Sequence, residues 1–88
     1  MLAFELHVNG KKVATAGVEQ GVMSVIANWV RGKEDGDSWQ SGISIAGSDS
    51  QTSEYLRWFR QDLKVGDEIR IRLVESDRVD SPAERDPN

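Results

Sequence analysis

Four arginines in the second half of the chain have a spacing that would suit an anion-binding surface. Arg70 and Arg72 are two residues apart in an alternating segment, so both must point to the same side of a β-strand. Arg57 and Arg60 are three residues apart, a spacing that places them on one face of a helix. Guanidinium groups bind carboxylates and phosphates through paired hydrogen bonds. The spacing therefore predicts a patch for an acidic or anionic partner. The alternative is that these arginines pair with acids of the loops and the C-terminal segment.

Trp39 is a further candidate for a binding contact, because it follows the acidic segment 33–38 and binding interfaces favour Trp and Arg. Packing of Trp39 in the core or against a hairpin is the alternative. Trp29 and Trp58 lie in apolar patterns and are expected in the core. The predicted partner-binding residues are therefore Arg57, Arg60, Arg70, Arg72 and Trp39.

Groups that could perform catalysis or bind metal are scarce. The 88 residues include no cysteine and one histidine, which excludes thiolate sites and zinc sites with two His ligands. His7 falls on the polar side of a strand pattern, with no nucleophile at a suitable spacing. Segment 42–46 approaches a nucleophile elbow, but alanine replaces its second glycine, and the acids of segment 34–37 do not fit a calcium loop. We therefore expect a non-enzymatic protein without catalytic residues, metal or cofactor.

Length and charge narrow the class of protein further. A chain of 88 residues has room for one small core. The formal net charge of −4 argues against nucleic acid or an anionic membrane as the partner of the whole chain. No apolar run is long enough for a membrane-spanning helix. Without an export signal at the start, we expect a cytoplasmic location.

The secondary structure that must position these residues is mostly strand. Residues 2–8 alternate between apolar and polar types, and Asn9-Gly10 then forms the strongest short signal for a hairpin. Residues 22–31 fit either a strand covered on both faces or a helix, and their β-branched residues favour the strand. Residues 39–46 and 68–74 alternate as two further strands. In the last of these, Ile69, Ile71 and Leu73 are predicted to face the core.

One helix is predicted near residues 51–62. Ser48 to Thr52 are polar residues of the kind that begin helices, and Leu56, Phe59 and Leu63 recur at intervals of three and four. The predicted fold is therefore mainly β (α+β), with a single small antiparallel sheet or barrel of about five strands and this helix. Residues 1–76 would form the globular domain. Residues 77–88 are polar and contain proline, which predicts a mobile tail.

Segment 62–75, with a Val-Gly-Asp turn at 65–67 that leads into an alternating strand, resembles the penultimate strand of S1-type OB barrels, which bind RNA. This resemblance implies an RNA-binding domain that uses the four arginines. OB-type binding also needs aromatic residues on an early strand pair, and here the first strands offer only Phe4, on the predicted core side. The resemblance is therefore the alternative hypothesis.

The first hypothesis is a small cytoplasmic binding module whose partner is another protein. An inhibitor or immunity-type protein that covers a basic enzyme surface is its specific form, because net charge accelerates such an encounter. The sequence also leaves a homodimer open.

Overall fold

The computed structural model describes residues 1–31 and 39–87. Within these residues the chain forms two antiparallel sheets and no helix. Sheet A has the strand order β2-β1-β6, and sheet B has the order β3-β4-β5-β7. The strands are β1 (Leu2–Val8), β2 (Lys11–Ala16), β3 (Gly21–Arg31), β4 (Trp39–Asp49), β5 (Glu54–Asp62), β6 (Ile69–Glu75) and β7 (Glu84–Pro87). The mainly β class is confirmed, whereas the single sheet of five strands and the short helix are wrong.

The first hairpin follows the sequence signal closely. Asn9 and Gly10 have φ angles of 53° and 81°, as a two-residue type I′ turn requires, and Val8 pairs with Lys11. A shift in register between Leu6 and His7 then places Leu6 opposite Ala14. The small side chain of Ala14 thereby becomes part of the core.

Residues 22–31, whose pattern is compatible with both a strand and a helix, lie in strand β3. It pairs with β4 over its full length, from Gly21 opposite Asp49 to Arg31 opposite Trp39. The prediction of a strand is confirmed. The prediction that both of its faces are covered is wrong, because Val22, Ile26, Trp29 and Val30 are all more than half exposed.

The segment predicted to be a helix is strand β5, and a β-bulge explains the error. Ile45 pairs with Phe59 while Ala46 pairs with Arg57, so Trp58 is an extra residue in the ladder. An extra residue resets the alternation of a strand, which puts Leu56 and Phe59 on the same face although they are three residues apart. That spacing imitates the helical repeat.

The residues that looked like a helix cap form the turn between β4 and β5. The Asp49 carboxylate accepts hydrogen bonds from the backbone N–H groups of Gln51 and Thr52, at 2.9 and 3.4 Å. Ser53 adopts a φ of 56°. Because Ser, Asp and Thr favour turns as well as helix caps, the polar residues 48–52 are compatible with a turn and with the start of a helix.

The core lies between the two sheets. Sheet A contributes Leu6, and sheet B contributes Ile43 and Ile45, all three at 1% exposure or less. Leu56 and Trp58 of β5 complete the buried cluster together with Ala14 and Ala16. The burial of Trp58 confirms its predicted place in the core, whereas Trp29 is 72% exposed and its predicted burial is wrong.

The inner face of sheet A continues past this core onto β6. Ile71 lies opposite Leu6, and Leu73 lies opposite Phe4, so both point to the predicted side. Their exposures of 46% and 65% show that sheet B does not cover them. The strand with the clearest alternation is therefore at the open edge of the sandwich.

The C-terminal segment lies against both sheets. Asp80 exchanges two hydrogen bonds with the backbone of Thr15 on β2, one through its N–H and one through its carboxylate. Its carbonyl oxygen accepts a 2.7 Å hydrogen bond from the Trp58 indole N–H. Beyond it, β7 pairs with β5. The residues predicted to be a mobile tail thus make specific contacts up to Pro87.

Candidate protein-binding face

The four predicted arginines do not form one patch. Arg72 lies opposite Glu5 in sheet A, and Arg70 lies opposite His7; these positions alternate with Leu6 and Ile71 and so form the outer face of sheet A. Arg57 and Arg60 lie on β5, on the outer face of sheet B. Because the sheets pack through their inner faces, the two pairs lie on opposite sides of the domain. Trp39 begins β4, and its side chain lies outside the described residues.

On sheet A, Arg72 belongs to a cluster around the Glu5 carboxylate. One oxygen of Glu5 accepts a 2.8 Å hydrogen bond from His7 Nε2 and lies 3.4 Å from Arg72 Nη1. The hydrogen bond from His7, followed by the charges of Arg72 and Lys12, holds the pKa of Glu5 below its usual value. These contacts agree with the interpretation that this arginine pairs with a nearby acid.

Replacing His7 with leucine is expected to raise the pKa of Glu5, because the hydrogen bond from His7 is the largest cause of its depression. Since the pKa is depressed in the folded protein, Glu5 contributes stability above its ordinary value of 4.5. That contribution is lost as the pH falls through the lower folded value. NMR titration of the side-chain carboxyl carbons measures the shift. Asp67, whose pKa Asn9 depresses, is the internal control and should not move; an unchanged pKa of Glu5 would contradict the prediction.

On sheet B, Arg57 is paired at the same distance as Arg72, whereas Arg60 is paired less tightly. Arg60 Nη1 lies 3.7 Å from Asp62 Oδ1, and its side chain is 64% exposed. Arg57 lies 3.4 Å from Glu84 on the neighbouring strand β7, with its side chain 35% exposed. Arg60 is therefore the more accessible of the two for a bound carboxylate.

A groove crosses the outer face of sheet B. Its floor is the row of small side chains on β4, and the register places Ser44 between Ile26 of β3 and Arg60 of β5. The next rungs place Gly42 between Asn28 and Asp62, and Ala46 between Ser24 and Arg57. A cavity of about 920 Å³ lies over the first two of these rungs. We call this feature the outer groove; it comprises Val22, Ser24, Ile26, Asn28, Val30, Gly42, Ser44, Ala46, Arg57, Arg60 and Asp62.

One wall of the outer groove is mainly apolar, with Ser24 and Asn28 between its aliphatic side chains, and the other carries two arginines and Asp62. Val22, Ile26 and Val30 are 63%, 55% and 63% exposed on β3. Across the floor, Arg57 and Arg60 present guanidinium groups. Sequence reasoning found the cationic wall but missed the apolar one. The alternation of residues 22–30 shows which of them share a face, but it cannot show that the face is left uncovered.

The outer groove has the properties of a binding surface. It contains neither histidine nor cysteine, and the described residues include no group of three potential metal ligands. In residues 1–31 and 39–87 we also find no helix with the length and hydropathy to cross a membrane. Exposed aliphatic side chains, small floor residues and arginines can together hold an extended or helical segment through apolar contact and charge-assisted hydrogen bonds.

No family model, curated protein or solved structure matches this chain. Its function is therefore argued from the geometry of the site.

Proposed function

We propose that this protein is a non-enzymatic binding module whose outer groove takes a segment of another protein with both apolar and acidic side chains. The observation that carries the proposal is the rung Ile26–Ser44–Arg60, in which an exposed aliphatic side chain and an exposed arginine flank a small residue. A partner segment on this rung would contact apolar surface on one side and a guanidinium on the other.

Two physical effects support this choice of partner. Removing exposed aliphatic surface from water is favourable by roughly 25 cal/mol per Å², and β3 offers three such side chains in one row. A carboxylate that binds Arg60 would compete with a single 3.7 Å contact to Asp62, which is easily exchanged because both groups are exposed. The groove is therefore most favourable to a segment that places an acidic residue beside aliphatic ones.

The proposal includes a cytoplasmic role as an inhibitor or immunity-type protein. The net charge of −4 would accelerate the approach only to a partner that is basic overall, so such a partner must carry its acidic and apolar segment on an otherwise basic surface. The outer groove would then select the contact by its local pattern of apolar and cationic groups.

Because the two pairs of arginines lie on opposite sides of the domain, one pair can serve as the control for the other in a binding test. Peptides are selected against the intact protein from a displayed random library, and their affinities are then measured by fluorescence anisotropy. Arg57→Gln combined with Arg60→Gln is expected to weaken binding by one to two orders of magnitude, roughly 1.4–2.8 kcal/mol. The control, Arg70→Gln with Arg72→Gln, changes the same charge on the other face and should leave affinity unchanged. Equal losses in both double variants would contradict the proposed site.

A single-stranded RNA oligonucleotide is the second probe. Measurable affinity at about 100 mM salt would favour the RNA-binding alternative, because contacts to phosphates weaken steeply as salt rises. If such binding occurred and no peptide were selected, the proposed function would be wrong.

A further inference from the structure

Strand β3 has a free edge that lacks the usual protection of an edge strand. It is the terminal strand of sheet B, and among the described residues only β4 pairs with it. Residues 22–30 contain no charge and no proline, and they form regular pairs with β4 throughout. Natural edge strands are usually short, charged, bulged or interrupted by proline, because an open edge can pair with another strand. Residues 22–30 therefore form an edge to which another strand could add.

The sequence of β3 is complementary to itself when it is read in the opposite direction. An antiparallel pairing centred on Ile26 places Ile26 opposite its own copy, and it places Val22 opposite Val30. On the other face, Met23 falls opposite Trp29, a favourable contact between sulfur and an aromatic ring. The remaining pairs also match in polarity: Val25 with Ala27, and Ser24 with Asn28.

Neighbouring registers lose this match. A centre at Val25 would place Ile26 opposite Ser24 and Val22 opposite Asn28. A centre at Ala27 would instead pair Ile26 with Asn28 and Ser24 with Val30. Cross-strand pairs of unlike polarity contribute less than apolar pairs or hydrogen-bonded polar pairs, so these two centres are unfavourable. Centres at Ser24 and Asn28 also pair like with like, but they use only residues 21–27 or 25–31, whereas the centre at Ile26 pairs all eleven residues of β3.

We infer that a second copy of this chain is the partner of β3 and that the two copies pair antiparallel about a two-fold axis at Ile26. The two four-stranded sheets would then form one continuous sheet. A two-fold axis perpendicular to a sheet keeps each face on the same side, and the contact is isologous, as closed dimers require. Each copy carries a net charge of −4, but residues 22–30 of the paired edge carry no charge.

Pairing of this kind would join the two outer grooves. Val22, Ile26 and Val30 of both copies would form one apolar stripe on the outer face, with a row of arginines at each side. The inference does not depend on the proposed function, because the edge can pair whether or not the groove binds another protein.

The oligomeric state of the full chain tests the inference. Sedimentation equilibrium over a range of protein concentrations should show a monomer–dimer equilibrium. Ile26→Lys should raise the dimer dissociation constant by at least tenfold, because the two-fold axis places like charges directly opposite each other. Leu73→Lys is the matched control, since Leu73 is 65% exposed and lies on β6 of the other sheet, and it should not change the constant. A monomer at every concentration, or equal effects of the two variants, would overturn the inference.

Cross-linking tests the register without charge changes. The chain has no cysteine, so Ile26→Cys introduces a single thiol opposite its own copy, and mild oxidation should give a covalent dimer. Ser24→Cys mixed with Asn28→Cys should cross-link more than either variant alone. Leu73→Cys, on the exposed part of β6 in the other sheet, is the control for random collisions. Cross-linking of Ile26→Cys at no more than the rate of Leu73→Cys would overturn the proposed pairing.

Discussion

Leu6→Ala is expected to lower the free energy of unfolding by about 2–5 kcal/mol, the cost of a large cavity in a packed core. Leu6 is fully buried at the centre of the cluster between the sheets. Its matched control is Ile71→Ala at the directly opposite position of β6. Ile71 is 46% exposed, so its truncation should cost only about 1 kcal/mol, because about half of its surface stays in water on folding and its removal leaves no enclosed cavity.

Urea denaturation followed by tryptophan fluorescence measures both free energies of unfolding. Equal losses for Leu6→Ala and Ile71→Ala would contradict the open edge of the sandwich, since they would mean that β6 is covered as well as β1.

A charge at position 71 is expected to cost less stability than the alternation of β6 alone implies. On alternation alone, Ile71→Asp should unfold the domain, whereas half exposure at a sheet edge lets the carboxylate remain hydrated and makes the loss smaller.

The comparison of Leu6 with Ile71 shows what alternation can predict. Alternation correctly assigned the inward side of β1 and β6, because the side-chain period of a strand is fixed at two. It could not rank the two positions by burial, since that depends on which strands of the other sheet lie above them. In the candidate site, Arg57 and Arg60 were correctly placed on one face, but for the wrong reason, because the predicted helix is a bulged strand.

The sequence patterns also could not predict which strands belong to which sheet. The four arginines cluster in residues 57–72, yet β5 and β6 belong to different sheets. The two pairs of arginines are therefore close in sequence but lie on different sheets. The apolar wall of the outer groove was missed for a related reason: Val22, Ile26 and Val30 have the residue types of a core, and only the layer arrangement leaves them exposed.

The C-terminal segment is expected to stabilise the domain by about 2–4 kcal/mol, although its composition predicts a mobile tail. Ending the chain at Val79 removes the acceptor of the Trp58 indole N–H. It also removes the partner of both backbone groups of Thr15. Trp58 is only 8% exposed, and leaving a buried donor unsatisfied costs about 1–3 kcal/mol. For a domain of this size the expected fall in Tm is roughly 10 °C or more.

A chain that ends at Ala83 is the matched control for this truncation. It loses all of β7 but keeps Asp80 and the hydrogen bond from the Ala83 N–H to the Arg57 carbonyl. Because the four residues of β7 are exposed, the control should lose much less stability than the chain that ends at Val79. Thermal unfolding followed by circular dichroism distinguishes the two chains. An unchanged Tm for the chain ending at Val79 would show that the tail is mobile, as its composition suggests, and that Trp58 finds another acceptor. A large fall for that chain alone would identify residues 80–83, which contain Asp80, as the segment that links sheet A to sheet B.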